Sequence, residues 1–277
     1  MDVSSSAGRS GFAPVDNGRL AYESAGEGPA LVLLHGGLLD AGMWHEQFAA
    51  LAATGHYTLR YDARGHGASS TVTGDWSNVE DLRALLDHHE IVRARLVGLS
   101  LGARTALDFA LACPERVEAL VLAAPGISGR AFADPFVLEH TRAQQASLGR
   151  PDGAQRFVEH FLRMWVDGPH REPSEVDPAM RERLGAVAAH NVARHASGLG
   201  AGTLREVGAA QRLAEVAAPL LTLVGDVDSS DIIGNVDAIV AAQPGARTGV
   251  VPGAAHMVNL EAPETFTREV AAFLRAL

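Results

Sequence analysis

The chain is almost without cysteine. Cys113 is the single one among 277 residues, so no internal disulfide can form and nothing points to an oxidising compartment. It follows Leu107, Ala110 and Leu111 in a helical pattern and reads as a small buried apolar residue, not a reactive thiol. Basic charge is scarce too. There are 23 basic against 33 acidic residues, for a net charge of −10, and no basic stripe collects on any segment. Nucleic acid is therefore not an expected partner; the acidity serves solubility. No apolar run approaches the roughly 18 residues of a membrane span, so no membrane partner is expected. The Ser/Gly-rich stretch Met1–Gly11 lacks the apolar core of a signal peptide and reads as a loose tail. Together these absences predict a cytoplasmic protein.

What is present is an ordinary globular mix, 47% hydrophobic and 20% charged. The length suits one large domain, or one domain with a sizeable insertion. Short apolar runs recur at Ala30–Leu34, Tyr57–Tyr61, Arg95–Leu99, Glu118–Ala123, Pro219–Val224 and Gly249–Val251. Most end in Gly or Asp, as central parallel strands covered on both faces do. Between them lie helical patterns over Met43–Ala53, Val79–His88, Leu101–Cys113 and Ile233–Ala242. A last one covers Ala262–Leu277, with Phe266, Val270, Phe273, Leu274 and Leu277 on one face. The alternation predicts right-handed βαβ units in an α/β fold with a mostly parallel sheet. Two earlier strands, near Phe12–Val15 and Arg19–Glu23, precede any helix and predict an antiparallel hairpin at one edge.

From Gly126 to Ala218 the rhythm breaks. This interval holds no convincing strand, and Phe157, Phe161, Met164 and Trp165 fall at helical spacing. Residues 1–125 and 219–277 are expected to form the α/β core. Residues 126–218 are expected to form a helical cap inserted over the sheet, a lid and not an independent domain.

Four segments carry chemistry. Gly98-Leu99-Ser100-Leu101-Gly102 follows an apolar strand and opens an Ala-rich helix. Alone the pentapeptide is a weak signal; in this context its glycines permit a tight strand-to-helix turn that lifts the Ser100 hydroxyl above the sheet. The helix N-terminus behind it favours negative charge. His35-Gly36-Gly37 follows another strand and can aim a backbone N–H at a developing oxyanion. Gly37 is the chosen first donor and Leu101, after the serine, the second. His35 is expected to tie down this loop. In Gly225-Asp226-Val227-Asp228 and the residues after it, Asp226, Asp228 and Asp231 compete for the role of an acid that orients a histidine. Asp228 is preferred; the others suit turn and capping roles. His256, on a loop between the last strand and the last helix, is the candidate base. Ser, Asp and His then occur in the chain order that a nucleophile elbow requires.

The segments HGGLLDAGMW, LRYDARGHGAS, VGLSLGAR, CPERVEALVLAAP, VGDVDSSD and PGAAHMVNLEAPETF resemble the recurring blocks of the α/β-hydrolase family nearly end to end. The chain looks most like its small bacterial carboxylesterases, non-haem haloperoxidase-type esterases and enol-lactone hydrolases. The resemblance implies an eight-stranded, mostly parallel sheet flanked by helices and a helical cap after strand 6. It also implies a triad that needs no cofactor or metal, and it supports Asp228 as the acid. Many relatives carry Gly-Gly where this chain has Gly102-Ala103, a conservative departure. Relatives with Asp at the elbow, the haloalkane dehalogenases and epoxide hydrolases, are excluded by Ser100. Carbon–carbon bond hydrolases with Ser remain an alternative. They often carry an aromatic after the histidine, where Met257 and Val258 stand here. A ligand receptor with a retained triad is the third reading.

The expected activity is hydrolysis of a carboxylic ester or lactone of a small, moderately hydrophobic molecule through an acyl-enzyme. Gly36, Leu38, Trp44, Phe132, Phe136, Phe161, Trp165 and Met257 are the candidate pocket residues, weighed against simple packing. His140, His160, His170, His190 and His195 show no metal-ligand spacing. Arg64 and His66 are expected to shape a turn beside the site.

Overall fold

The computed structural model describes residues 8–277. Eight strands form a single sheet: β1 (Arg9–Val15), β2 (Gly18–Ala25), β3 (Ala30–Leu34), β4 (Tyr57–Tyr61), β5 (Ala94–Leu99), β6 (Val117–Ala123), β7 (Leu220–Gly225) and β8 (Arg247–Val251). Their order is β1-β2-β4-β3-β5-β6-β7-β8. β1 and β2 form the antiparallel edge hairpin, β2 runs antiparallel to β4, and every later pairing is parallel. Because β1 begins at Arg9, the residues Arg9–Gly11 that read as tail are strand: they pair with Tyr22–Ser24. The rest of that reading, Met1–Ala7, lies outside the described residues.

Alternation along the central strands sends side chains into two separate apolar layers. Val32, Leu34, Leu96, Leu120 and Leu122 pack against α2 (Asn78–His88) and α3 (Leu101–Ala112), which follow β4 and β5. Leu31, Leu33, Val97, Leu99 and Val121 face the opposite way. They meet α1 (His45–Ala52), which a 3₁₀ turn over Ala41–Trp44 precedes, and the C-terminal helix. Covering both faces is why these strands read as unbroken apolar runs.

Between β6 and β7 the insert holds α4 (Pro135–Ser147), α5 (Gly153–Leu162) and α6 (Pro178–His195), joined by irregular turns. Asp134-Pro135 and Asp177-Pro178 start α4 and α6 alike: the aspartate caps free N–H groups and proline takes the first helical position. α5 runs into a π-helical turn over Arg163–Asp167 that ends at Gly168 (φ +80°). Phe161, Leu162, Met180 and Leu184 of the insert belong to the same apolar cluster as Leu31 and Leu33 of the sheet. The carboxylate of Asp167, fully buried, is paired with Arg163 and Arg181 and locks this turn.

After β7 come α7 (Ser230–Ala242), the short α8 (Val258–Glu261) and α9 (Pro263–Arg275). Phe266, Val270, Phe273 and Leu274 of α9 are buried as expected, but Leu277 is exposed, since the helix ends before it. Cys113 is buried, and its sulfur accepts from the Arg83 guanidinium.

Candidate active site

Ser100 sits between β5 and α3 with φ +56° and ψ −109°, a conformation that L-residues rarely adopt. Steric crowding around it demands glycine on either side. A Cβ on Gly98 would lie 2.4 Å from the carbonyl carbon and oxygen of Gly102, and one on Gly102 would lie 2.0 Å from the Leu34 carbonyl oxygen. The Ser100 N–H donates to Ala123 O at 2.9 Å, and its carbonyl accepts from Arg104 and Gly126. These contacts fix the turn from β6 and from α3 together.

Beyond β7 the three competing aspartates separate cleanly. Asp228 Oδ2 accepts from His256 Nδ1 at 2.9 Å, and its Oδ1 accepts from the Ser229 N–H. Both residues are buried: Asp228 has no exposed surface and His256 only 1%. Asp226 accepts instead from Gly253 N–H, tying the β7 and β8 loops together, and Asp231 accepts from the N–H groups of Ala133 and Asp134 in the insert. The two loops can meet because β7 ends in Gly225, where a Cβ would stand 2.0 Å from Ala254 O. His256 Nε2 is buried without a hydrogen-bond partner among the described residues, and the ring lies against Trp165 at 4.6 Å between centroids. With Nδ1–H given to Asp228, Nε2 carries a lone pair able to take a proton.

The loop after β3 is held by side chains from elsewhere. His35 Nδ1 donates to Gly36 O and its Nε2 accepts from Ala63 N–H. Gly36 N–H points to Met43 Sδ, Leu38 N–H donates to His66 Nε2, and Leu39 N–H donates to Gly36 O. Gly37 N–H is left without an acceptor among the described residues. Leu101 N–H, in the first turn of α3, is free of intrahelical bonding by position. Leu38 itself has φ +57°. Burial, and then the neighbouring His35, pulls the His66 pKa down to about 3. The ring is therefore neutral and fit to accept from Leu38. Arg64 pairs with the buried carboxylate of Asp81 and holds Asp16 O, bracing the turn before His66.

Ser100, Leu101, Gly37 and His256 all line one cavity of about 250 Å³. Gly36, Leu38, Phe132, Phe161, Trp165 and Met257 line it as expected. Trp44 and Phe136 do not. Trp44 is fully buried against Phe266 behind the loop, and Phe136 faces His140 and the Arg163 guanidinium on the insert. Sequence reading missed Arg104, Gln144, Leu99 and Gly126 on the cavity wall. Arg104 was within reach of it: it stands four residues after Ser100 and so shares its helix face. Its guanidinium is paired with Glu206, and Gln144 Nε2 donates to Phe157 O. A second cavity of about 400 Å³ borders the first at Leu38 and is walled by Val72, Trp76, Phe157, Val192 and Leu199. Among the described residues no helix is long and apolar enough to cross a membrane. His140 and His160 of the insert pair with each other through their Nδ1 atoms.

The profile of the alpha/beta hydrolase family matches residues 31–269. The chain is 31% identical over 267 residues to a 2-hydroxy-6-oxononadienedioate/2-hydroxy-6-oxononatrienedioate hydrolase of Burkholderia vietnamiensis, covering 93% of this chain and 91% of that one. It is 30% identical over 267 residues to the dihydrolipoyllysine-residue acetyltransferase component of the acetoin cleaving system of Pseudomonas putida, covering 92% of this chain but only 66% of that longer one. Among solved structures it is similar to the enol-lactonase of Burkholderia xenovorans, with 26% identity, a TM-score of 0.77, and coverage of 96% of this chain and all (100%) of that one. Sheet order, elbow and sequence agree: the chain belongs to the alpha/beta hydrolase family.

Proposed function

We propose that this chain is a serine hydrolase that cleaves a carboxylic ester or lactone of a small, moderately hydrophobic molecule, with residues 126–218 as its cap. The observation that carries the reading is one cavity lined by Ser100, by the free N–H of Gly37 and by a histidine whose other nitrogen is held by Asp228. His256 Nε2 takes the Ser100 proton as Oγ attacks the carbonyl carbon. Asp228 keeps the imidazole in the required tautomer and stabilises its charged form. The negative oxygen forms beside the N–H groups of Gly37 and Leu101, at the positive end of α3. Collapse of the tetrahedral species expels the alkoxide, which takes the proton from His256 and leaves an acyl group on Ser100. Water, deprotonated by the same nitrogen, then releases the acid and restores the serine.

The choice of bond rests on what the leaving group needs. An alkoxide needs a proton, which His256 supplies. A carbanion needs further stabilisation. Of the polar side chains on the cavity wall, Gln144 Nε2 is given to Phe157 O and one terminal nitrogen of Arg104 to Glu206, while Arg104 Nε is buried without a partner among the described residues and is a donor that would serve the alternative. The remaining wall of Leu38, Phe132, Phe161, Trp165 and Met257 suits an apolar group. Carbon–carbon bond hydrolysis is the second reading, favoured by the name of the Burkholderia vietnamiensis relative. A fluorophosphonate is expected to label wild-type protein at Ser100, and not Ser100→Ala. The comparison of kcat/KM for aliphatic esters and lactones against vinylogous diketones then decides the bond. Diketone cleavage faster by orders of magnitude overturns the ester reading; absence of labelling overturns the serine mechanism.

A further inference from the structure

The insert reaches the catalytic loops through one buried polar side chain. Asn191, in the last turns of α6, is 2% exposed and uses its amide fully. Oδ1 accepts from Gly67 N–H at 2.7 Å, while Nδ2 donates to Leu38 O at 3.0 Å and Leu39 O at 3.1 Å. Three chain segments that share no secondary structure are thus pinned at a single point: α6, the loop after β3 and the loop after β4.

The pinned residue is unusual. Leu38 follows Gly37 directly and sits in the left-handed region, at φ +57°, without being glycine. Such a conformation persists only when its surroundings hold it. Here both of its backbone polar groups are taken by side chains: the N–H by His66 and the carbonyl by Asn191. His66 is in turn aligned by Arg64 O, so the β4 loop supplies one half of the clamp and the insert supplies the other. Release of the carbonyl frees Leu38 to relax toward negative φ, which rotates the peptide planes on either side of it. The adjoining residue is Gly37, which has no side chain of its own to resist.

We propose that Asn191 is a positioning residue of the catalytic machinery: from the insert it holds Leu38 in its left-handed conformation, and so keeps the Gly37 N–H aimed into the cavity at the oxyanion. The proposal rests on the reading of Gly37 as an oxyanion donor. It gives the insert a part in the chemistry itself, beyond shaping the substrate pocket. An amide is required because the site needs an acceptor for Gly67 and two donors for two carbonyls. A carboxylate at the same place keeps the first and sets negative charge against the other two.

The test is Asn191→Asp, with Asn191→Ala as a second variant that carries no charge. Active sites are first counted by fluorophosphonate titration, so that misfolded protein is discounted. Steady-state kinetics on an activated ester are then expressed per titrated site. Inhibition by a trifluoromethyl ketone, whose adduct with the serine bears an oxyanion, is measured in parallel. Loss of one oxyanion donor outright costs on the order of 10²–10³ in rate, and a misaimed donor less. The expected result is therefore a kcat lower by about 10- to 100-fold, with KM within about threefold. The ketone's inhibition constant is expected to rise in proportion to the fall in kcat/KM. A kcat per titrated site within twofold of wild type in both variants overturns the proposal and leaves Asn191 as a structural tie. So does a loss confined to KM. Wild-type protein that neither reacts with the fluorophosphonate nor hydrolyses esters overturns the serine-hydrolase reading itself, and the proposal falls with it.

Discussion

Replacing Gly102 by alanine tests whether the elbow is set by steric contact. The added Cβ would lie 2.0 Å from Leu34 O, 2.4 Å from Leu34 C and 2.8 Å from Leu34 Cβ. Two of these are backbone atoms of the strand beside β5, so no side chain can swing away to make room. Carbon and its neighbours settle at about 3.5–4.0 Å; α3 must retreat from β3 by about 1 Å or more. Overpacking of this kind costs about 1–3 kcal/mol, and the rigid partner here puts it at the upper end. The retreat also carries Ser100, two residues earlier, and the Leu101 N–H away from His256 and Gly37. A displacement of about 1 Å at a reacting centre can cost about 10²-fold in rate. Urea unfolding followed by tryptophan fluorescence and kcat on an activated ester measure both effects. Gly245→Ala is the control, since nothing lies within 4 Å of a Cβ there. A Gly102→Ala protein that matches the control in both midpoint and kcat would refute the argument that contact with Leu34 fixes the elbow.

Three further outcomes are expected. Asp228→Asn lowers kcat by about 10⁴-fold, the scale on which loss of the orienting acid acts elsewhere; Asp226→Asn and Asp231→Asn, which hold only backbone N–H groups, cost far less, and an order reversed in kcat would reassign the acid. Trp165→Ala, which removes the ring from beside His256 and Phe132, changes KM and the ranking of esters more than the rate of acylation by a small activated ester, and unchanged selectivity across an ester panel would mean that the ring is packing alone. His66 gives a pH signature. Its folded pKa of about 3 lies below the ordinary value of about 6.5, so protonation favours the unfolded chain. Its contribution to stability is complete above about pH 6.5 and is lost as pH falls toward 3, with a slope of at most about 1.4 kcal/mol per pH unit. Urea unfolding of wild type and His66→Gln between pH 7 and pH 4 checks this: a wild-type slope no steeper than the variant's refutes it.

The parts of the molecule legible in the sequence are those set by short-range rules. Ala30–Leu34 shows as a strand because both of its faces are covered, and the elbow shows because two close backbone approaches force Gly98 and Gly102. Asp228 stands among three carboxylates within six residues and is preferred over the other two, with the family resemblance in support; what separates them in the structure is the partner each finds, and two of those partners lie 28 and 98 positions away. Trp44, beside the loop after β3, and Phe136, on the insert, were misread because an aromatic in either place looks the same in sequence whether it faces the cavity or the packing away from it. Asn191 gave no signal at all. An asparagine on a charged helix reads as solvent-facing, and its meaning depends on carbonyls 152 and 153 positions earlier in the chain.

The apolar cluster shared by the insert and the sheet has a consequence for how a substrate arrives. Phe161, Leu162, Met180 and Leu184 belong to the cluster that also holds Leu31, Leu33 and Val97, with α5 packed chiefly on α4 and α6, and exposing each such side chain costs about 1.5–3 kcal/mol. Prising the helices of the insert apart from one another would expose several at once, a cost comparable with the whole stability of a domain, about 5–15 kcal/mol. On the proposed reading, a substrate is expected to enter by small excursions at the rim, where Leu148 and Leu199 are already exposed beside the second cavity, while the helices of the insert keep their packing on one another.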